Sequence, residues 1–344
     1  MRIIPLILLT SVLAFSIRQA PAQLPGGTQS RQLESVEQRL AMDELAASLT
    51  VSNAPSLFPE EDADVGPQSV LRIKRKQPRL ELFADAQYFY TDNMFLSDRD
   101  EQSADVLVST VQGVFNAVRF PIFGGDFVQR VGYRHQWFDY GLADSSTINV
   151  FDFNSGTFRQ ARLNEFDFNA GTAFAEGVWK RDHWVAGLSF DYQRLMDTDS
   201  YHQFYREYTP RWGLKRIVPL CPRSTLTAGY EGDYRATDTD NPPLGFDSNF
   251  NDRTDHSLVI DATYVLCKYA IAQAYYRFQF TYFTGSERRE DYLNAFGLAL
   301  YCPFTENVGL RFFANYDILN TNGALVTDYS RLDTGAGLNL TVKF

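Results

Sequence analysis

From residue 79 to the end of the chain, apolar and polar side chains alternate with a period of two. The last segment is the clearest. Leu332, Thr334, Ala336, Leu338, Leu340, Val342 and Phe344 fall on one face, and Asp333, Gly335, Gly337, Asn339, Thr341 and Lys343 on the other. Successive side chains of a strand point to opposite faces, so this reads as a strand with one apolar and one polar side. Ala272, Ala274, Tyr276, Phe278, Phe280 and Tyr282 repeat the pattern against Gln273, Tyr275, Arg277, Gln279 and Thr281. Phe166, Phe168, Ala170, Thr172 and Phe174 do so against Glu165, Asp167, Asn169 and Gly171. The alternation predicts twelve strands, at 79–93, 104–118, 126–139, 164–175, 183–195, 207–218, 225–237, 255–266, 270–283, 291–301, 307–319 and 328–344. Three are less regular. Residues 106–118 are apolar on both faces, Arg216 interrupts one face of the sixth segment, and 293–301 carry little polarity.

A soluble sandwich of two sheets also alternates. Three features favour a membrane barrel instead. The segments run roughly 11–16 residues, against roughly 5–6 in globular proteins and about 9–11 for a tilted strand crossing hydrocarbon. Connections after even-numbered segments are short, for example 267–269 and 302–306, whereas 140–163 and 238–254 are long and polar. That difference between the two rims is a mark of outer-membrane barrels. Third, Tyr88, Trp137, Tyr192, Tyr234, Tyr282 and Tyr316 stand on the apolar face near the long-connection end, as an aromatic girdle at a water–lipid boundary would. The polar face carries Arg130, Arg134, Arg211, Lys215, Glu231, Asp233, Arg235, Asp261, Arg277 and Arg311. Closing the sheet turns these charges toward a wet lumen and leaves no unpaired edge in lipid. The expected fold is therefore all-β, a closed antiparallel transmembrane β-barrel of about twelve strands. An even strand number puts both ends on one side, expected to be periplasmic.

Upstream the pattern changes. Met1 and Arg2, the apolar run from Ile3 to Phe15, and the small residues Ala20-Pro21-Ala22 have the form of a signal peptide over 1–22. The apolar run is shorter than the ~20 residues of a membrane-spanning helix. Residues 23–78 read as a flexible periplasmic segment, and 79–344 as the barrel. Within 23–78, Leu33, Val36, Leu40 and Leu45 stand near helical spacing and predict a short amphipathic helix over 31–49. An acidic patch at 60–64 and a basic run at 72–76 follow, and such runs are usually solvated. A plug in the lumen and a small coiled coil are the alternatives for the helix.

Composition narrows the chemistry. With 28 Phe, 19 Tyr and 4 Trp, aromatic residues make up 15% of the 344-residue chain. The net charge of −10 argues against a nucleic-acid partner. Three Cys are too few for a disulfide scaffold and lack zinc-site spacing. Cys267 begins a short turn and is a candidate to pair with Cys221 or Cys302 in an oxidising compartment. Asp238-Thr239-Asp240-Asn241 lacks the Gly and terminal Glu of a calcium loop, so no metal or cofactor is expected. His135 and His256 fall on the apolar face without a Ser or Asp in clear triad register, and His183 and His202 lie near strand ends. No enzymatic activity is expected.

Phe344, with Val342, Leu340 and Leu338 at alternate positions, resembles the C-terminal signature of Gram-negative outer-membrane β-barrels. In that class the last strand is read by the barrel-assembly machinery. Tyr88-Phe89-Tyr90-Thr91-Asp92-Asn93-Met94-Phe95-Leu96 resembles the opening strand of outer-membrane β-barrel porins of the porin-2 type. There an aromatic strand ends in Asp-Asn or Thr-Asn before an apolar pair. The resemblance covers under a tenth of the chain. It implies an outer-membrane location among lipid and lipopolysaccharide, and it brings no catalytic residue.

Twelve strands fall between the roughly eight of a barrel filled by side chains and the roughly sixteen to eighteen of an aqueous channel. The expected function is passive diffusion of small hydrophilic solutes through a charge-lined lumen. A closed structural or adhesive barrel, acting through its loops and periplasmic segment, comes second, and an outer-membrane lipid hydrolase third. The solute and the oligomeric state are left open. The purified mature chain is expected to need detergent or a bilayer to remain a folded monomer. Sedimentation in detergent-free buffer checks this, and a stable monomer there would overturn the barrel.

Overall fold

The computed structural model describes residues 27–52, 79–98, 101–143, 147–152, 157–240, 242, 245–285, 288–305, 307–323 and 326–344. The proposed signal peptide, the acidic patch at 60–64 and the basic run at 72–76 lie outside them. One helix precedes the strands, α1 (Gly27–Ser52). The first three strands are β1 (Leu80–Thr91), β2 (Ala104–Ile122) and β3 (Gly125–Tyr140). A small hairpin of β4 (Thr147–Asp152) and β5 (Thr157–Arg162) and a 3₁₀ turn, Leu163–Phe166, fill the long connection that follows. Then come β6 (Phe168–Arg181), β7 (Trp184–Asp197), β8 (Gln203–Cys221), β9 (Ser224–Thr239) and β10 (Arg253–Cys267). The last four are β11 (Ala270–Phe283), β12 (Glu290–Pro303), β13 (Val308–Thr321) and β14 (Tyr329–Lys343). All but β4 and β5 close into one antiparallel barrel of twelve strands.

The seam joins the first strand to the last. β1 pairs with β14 from Glu81 opposite Lys343 to Thr91 opposite Asp333. The N–H of Phe344 donates to the Leu80 carbonyl at 2.9 Å and continues the ladder to the chain end. One rim is made of tight turns, with two residues between β2 and β3, β6 and β7, β8 and β9, and β10 and β11. The first is Phe123-Gly124, both in the left-handed region at φ 50° and 72°. That geometry matches strand twist, and Gly meets it without steric cost. The other rim carries the long connections.

Side chains sort by the alternation. Leu82, Tyr88, Leu188, Leu258, Leu298, Phe312, Leu338 and Leu340 are exposed on the outer wall, as lipid contact requires. The six girdle aromatics all lie on the outward face. β6 departs from expectation. Phe168 stands opposite Phe138, Thr172 opposite Arg134 and Glu176 opposite Arg130, all on the lumen side. Phe168, Ala170, Thr172 and Phe174 therefore look inward, and Asn169 and Gly171 outward. The cause is an apolar interior partner, described below.

The cysteine expectation is corrected. Cys221, Cys267 and Cys302 are all free. They end β8, β10 and β12, so one strand separates each from the next. Neighbouring strands are about 4.8 Å apart, which sets alternate strands near ~9.5 Å, beyond the roughly 4.4–6.8 Å between bridged Cα atoms.

Gly297 of β12 shows how tightly the interior is filled. A Cβ there would fall within the ring of Tyr275, whose hydroxyl lies 3.3 Å from the side-chain amide of Asn315. Gly297→Ala is expected to displace that ring and destabilise the barrel by about 1–3 kcal/mol. Urea unfolding in lipid vesicles measures it.

Candidate functional site

The helix lies in the lumen. α1 is longer than the predicted 31–49, and its residues from 28 to 40 are buried or half-buried against the barrel wall. The reading of this stretch as a solvated lead segment is corrected, and the plug alternative describes it. Leu33, Val36 and Leu40 share a helix face at i, i+3 and i+7. They join one buried cluster with Phe89 of β1, Val106 and Val108 of β2, Phe138 and Tyr140 of β3, Phe168 and Ala170 of β6 and Leu195 of β7. Burying each of the three helix side chains contributes roughly 1.5–3 kcal/mol. This is the partner that turns the apolar face of β6 inward. It also explains why β2 is apolar on both sides, since Val106 and Val108 meet the helix while Leu107 and Val111 face outward.

The remaining helix surface is charged and meets charged side chains of the wall. Arg31 pairs with Asp291. Glu34 meets Arg235 at 3.3 Å, and Arg235 also lies 2.9 Å from Asp233 and from Asp255 and 3.3 Å from Glu207. Glu37 pairs with Arg134 and sits 3.5 Å from Arg211. Arg39 is 3.3 Å from Asp333, and its guanidinium lies 4.5 Å from the Phe89 ring centre and 4.9 Å from that of Phe313. Arg311 donates to the Arg39 carbonyl at 2.8 Å. Removing one partner of a buried pair costs about 3–5 kcal/mol, whereas replacing both by apolar groups is often neutral. The pairs therefore fix where the helix sits, while the apolar face supplies most of its hold.

The helix has a direction. Gln32 donates to the Met94 carbonyl at 2.6 Å and accepts from the Tyr140 hydroxyl, both at the long-connection rim. Arg39 lies deeper, beside Asp333 and Arg311. The start of α1 is thus at the rim opposite to Leu80 and Phe344. The expectation of both ends on one side holds for the barrel strands and not for the start of the helix. Above the helix, Ile148 of β4, Ala161 of β5 and Leu163 are buried, and the Phe166 ring meets Phe95 edge-on at 5.1 Å. The β4–β5 hairpin so forms a lid on that mouth. At its base Glu165 accepts from the Arg162 backbone N–H and from Arg159, which holds its carboxyl below the usual carboxylate range.

All ten sequence-selected lumen residues face inward. Arg134, Arg211, Arg235 and Arg311 touch α1. Lys215 and Arg277 share Glu231 at 2.6 and 2.8 Å, and Asp261 lies on the same side of the lumen. Arg130 pairs with Glu176 toward the tight-turn rim, where these side chains are partly exposed. One cavity beside α1, between Gln32, Ser35, Phe138 and Asp333, has room for about one water molecule. Sequence reasoning missed Glu207, Arg253, Asp255, Asp291, Arg331 and Asp333 as parts of the network. Each stands on the polar parity of its strand, which is the signal that could have found it. The outward His135 and His256 meet the Tyr133 and Tyr230 hydroxyls at 3.2 and 2.6 Å.

No family model and no curated protein matches this chain. Among solved structures, an outer-membrane channel from Pseudomonas putida F1 aligns with a TM-score of 0.51 at 8% identity, over 82% of this chain and 100% of that one. The fold is that of an outer-membrane β-barrel. The KdgM porin aligns with this barrel at 10% identity and TM-score 0.36, over 74% of this chain and 97% of that one. The translocator domain of autotransporter NalP from Neisseria meningitidis aligns at 12% identity and TM-score 0.41, over 89% and 97%.

Val36 is fully buried on the apolar face of α1. Val36→Asp sets a carboxylate against that cluster, at a cost of roughly 2–7 kcal/mol. The helix is expected to leave its seat, and trypsin to cut after Arg31 and Arg39 faster than in the parent. The strands are expected to keep the mobility shift that folded barrels show between heated and unheated gel samples.

Proposed function

We propose that this outer-membrane barrel is a gated channel for small hydrophilic solutes, with α1 as its closing element. The observation that carries the reading is the chemistry of the seat. Arg134, Arg211, Arg235, Asp291 and Asp333 face the lumen whether or not the helix is there. Stability alone does not call for charges at these positions in a permanently filled core, since replacing both partners of a buried pair by apolar groups is often neutral. A passage that is vacated and refilled needs a wall that water can wet. With the helix withdrawn, the wall presents both signs of charge, which suits modest selectivity rather than strong preference for one ion. In this reading the rim with the long connections faces outward from the cell. A closed structural barrel is the second reading, favoured by the apolar cluster around Leu33, Val36 and Leu40.

Planar-bilayer recording separates the two. The full mature chain is expected to be mostly closed, and a variant lacking residues 27–52 to conduct in steady steps. A folded deletion variant without current would refute the channel. Should the deletion not fold, Glu37→Lys serves instead. It sets a third cation against Arg134 and Arg211 and is expected to raise the open fraction, and an unchanged open fraction would count against the gate.

A further inference from the structure

The outer wall is largely apolar, and one row across it carries several charges. The strand registers align His135 of β3 with Gly171 of β6, Gly171 with Arg194 of β7, Arg194 with Arg206 of β8, and Arg206 with Asp238 of β9. All five positions face outward. The row lies close to the long-connection ends of β7 and β8. The next outward row on its inner side aligns Tyr133, Ala173, Tyr192, Tyr208 and Ala236, with the Tyr192 and Tyr208 rings 5.0 Å apart. Such a belt of tyrosines marks the boundary of the hydrocarbon. The charged row therefore stands at headgroup depth, with exposed Leu188, Phe190 and Leu214 on the wall beneath it.

The charges in this row are incompletely matched. Arg206 donates to Asp238 through Nε at 2.7 Å. Arg194 directly faces Arg206, and like charges opposite one another are destabilising. Among the described residues no carboxylate lies within ion-pair distance of Arg194. Gly171 lets the Tyr133 hydroxyl lie over the strand beside Arg194. A Cβ there would lie 2.8 Å from the Tyr133 hydroxyl and 3.6 Å from Arg194 Nε. Asn169, the next outward residue of β6 toward the rim, is 1% exposed, and neither atom of its amide has a partner among the described residues. Asp139 and Asp167 stand farther toward the rim.

We propose that this row is a binding site for the phosphate group of a lipopolysaccharide-type amphiphile. Arg194 is the principal anion ligand, Arg206 and the Tyr133 hydroxyl assist, and the acyl chains lie on the apolar wall below. A guanidinium offers a planar fork of donors that fits phosphate oxygens. A phosphate against Arg194 also relieves its repulsion with Arg206. A lipid-borne anion fits better than a free one, because the row adjoins a wall made for hydrocarbon. The site needs the long-connection rim to face the leaflet that holds lipopolysaccharide, which is the orientation proposed above, but it does not need the lumen to conduct.

The test uses the full mature chain in detergent, with rough lipopolysaccharide as probe and bound lipid counted after washing. Arg194→Gln is expected to retain roughly five- to tenfold less than the parent. Arg216→Gln removes an outward arginine near the other rim, stacked on Trp184 at 5.4 Å, and is expected to retain as much as the parent. Dephosphorylated lipopolysaccharide is expected to bind the parent as weakly as intact lipid binds Arg194→Gln. Equal retention by Arg194→Gln and the parent, or by the two forms of the lipid, would overturn the site. So would an equal loss in Arg216→Gln. Displacement by inorganic phosphate alone would overturn the lipid as its source. If Arg194→Gln does not fold, the comparison of the two lipid forms on the parent decides. Bilayer currents of Arg194→Gln are expected to match the parent, so failure here leaves the channel proposal standing.

Discussion

Backbone N–H and C=O groups in hydrocarbon have only one another to bond. The pairing of β1 with β14 is therefore the contact on which the rest of the molecule depends. It removes the last open edge, and it fixes which parity of every strand sees lipid. Outward positions are then bound to be apolar, and the polar side chains of all twelve strands collect in one enclosed space. Much of the chemistry of the lumen follows from that confinement.

Charges collected in a confined space require partners. Near the tight-turn rim the wall satisfies itself, as Arg130 does with Glu176 and Lys215 with Glu231. In the other half the wall pairs both within itself, as Arg211 does with Asp191 and Arg235 with Asp233 and Asp255, and with the helix. There Arg134, Arg211 and Arg235 turn to Glu37 and Glu34, and Asp291 and Asp333 turn to Arg31 and Arg39. The helix has charged and greasy sides, and the wall offers charged and greasy side chains to match them. This two-sided match specifies both depth and rotation. A helix held only by apolar contact could slide or turn at little cost.

The strands were legible in the sequence because lipid tolerates so little on the outer face. β11, β13 and β14 show it in full, and all twelve segments were found, eleven of them to within four residues at each end and β6 ending six residues later than expected. The failures have one source. Phe168, Ala170 and Phe174 look like lipid-facing residues, yet they face the lumen, the first two in the cluster that holds α1. Residues 106–118 looked ambiguous because both of their faces are truly apolar. Leu33, Val36 and Leu40 announced a helix, but nothing in the spacing said what covered them. Their partners lie far away along the chain, and Glu34 and Glu37 are indistinguishable by sequence from solvated surface acids. The β4–β5 hairpin was missed because its strands are short, although Ile148 and Val150 alternate with polar neighbours.

The helix and the cylinder that it fills belong to one polypeptide, since residues 53–79 join α1 to β1. Occupation of the seat is therefore a first-order process, with a rate that does not change on dilution. A tethered segment of this kind faces its own site at an effective concentration of the order of millimolar. A rival peptide of equal intrinsic affinity would have to reach that concentration merely to hold the seat half of the time, so the lumen is guarded by covalent connectivity as much as by the strength of any contact.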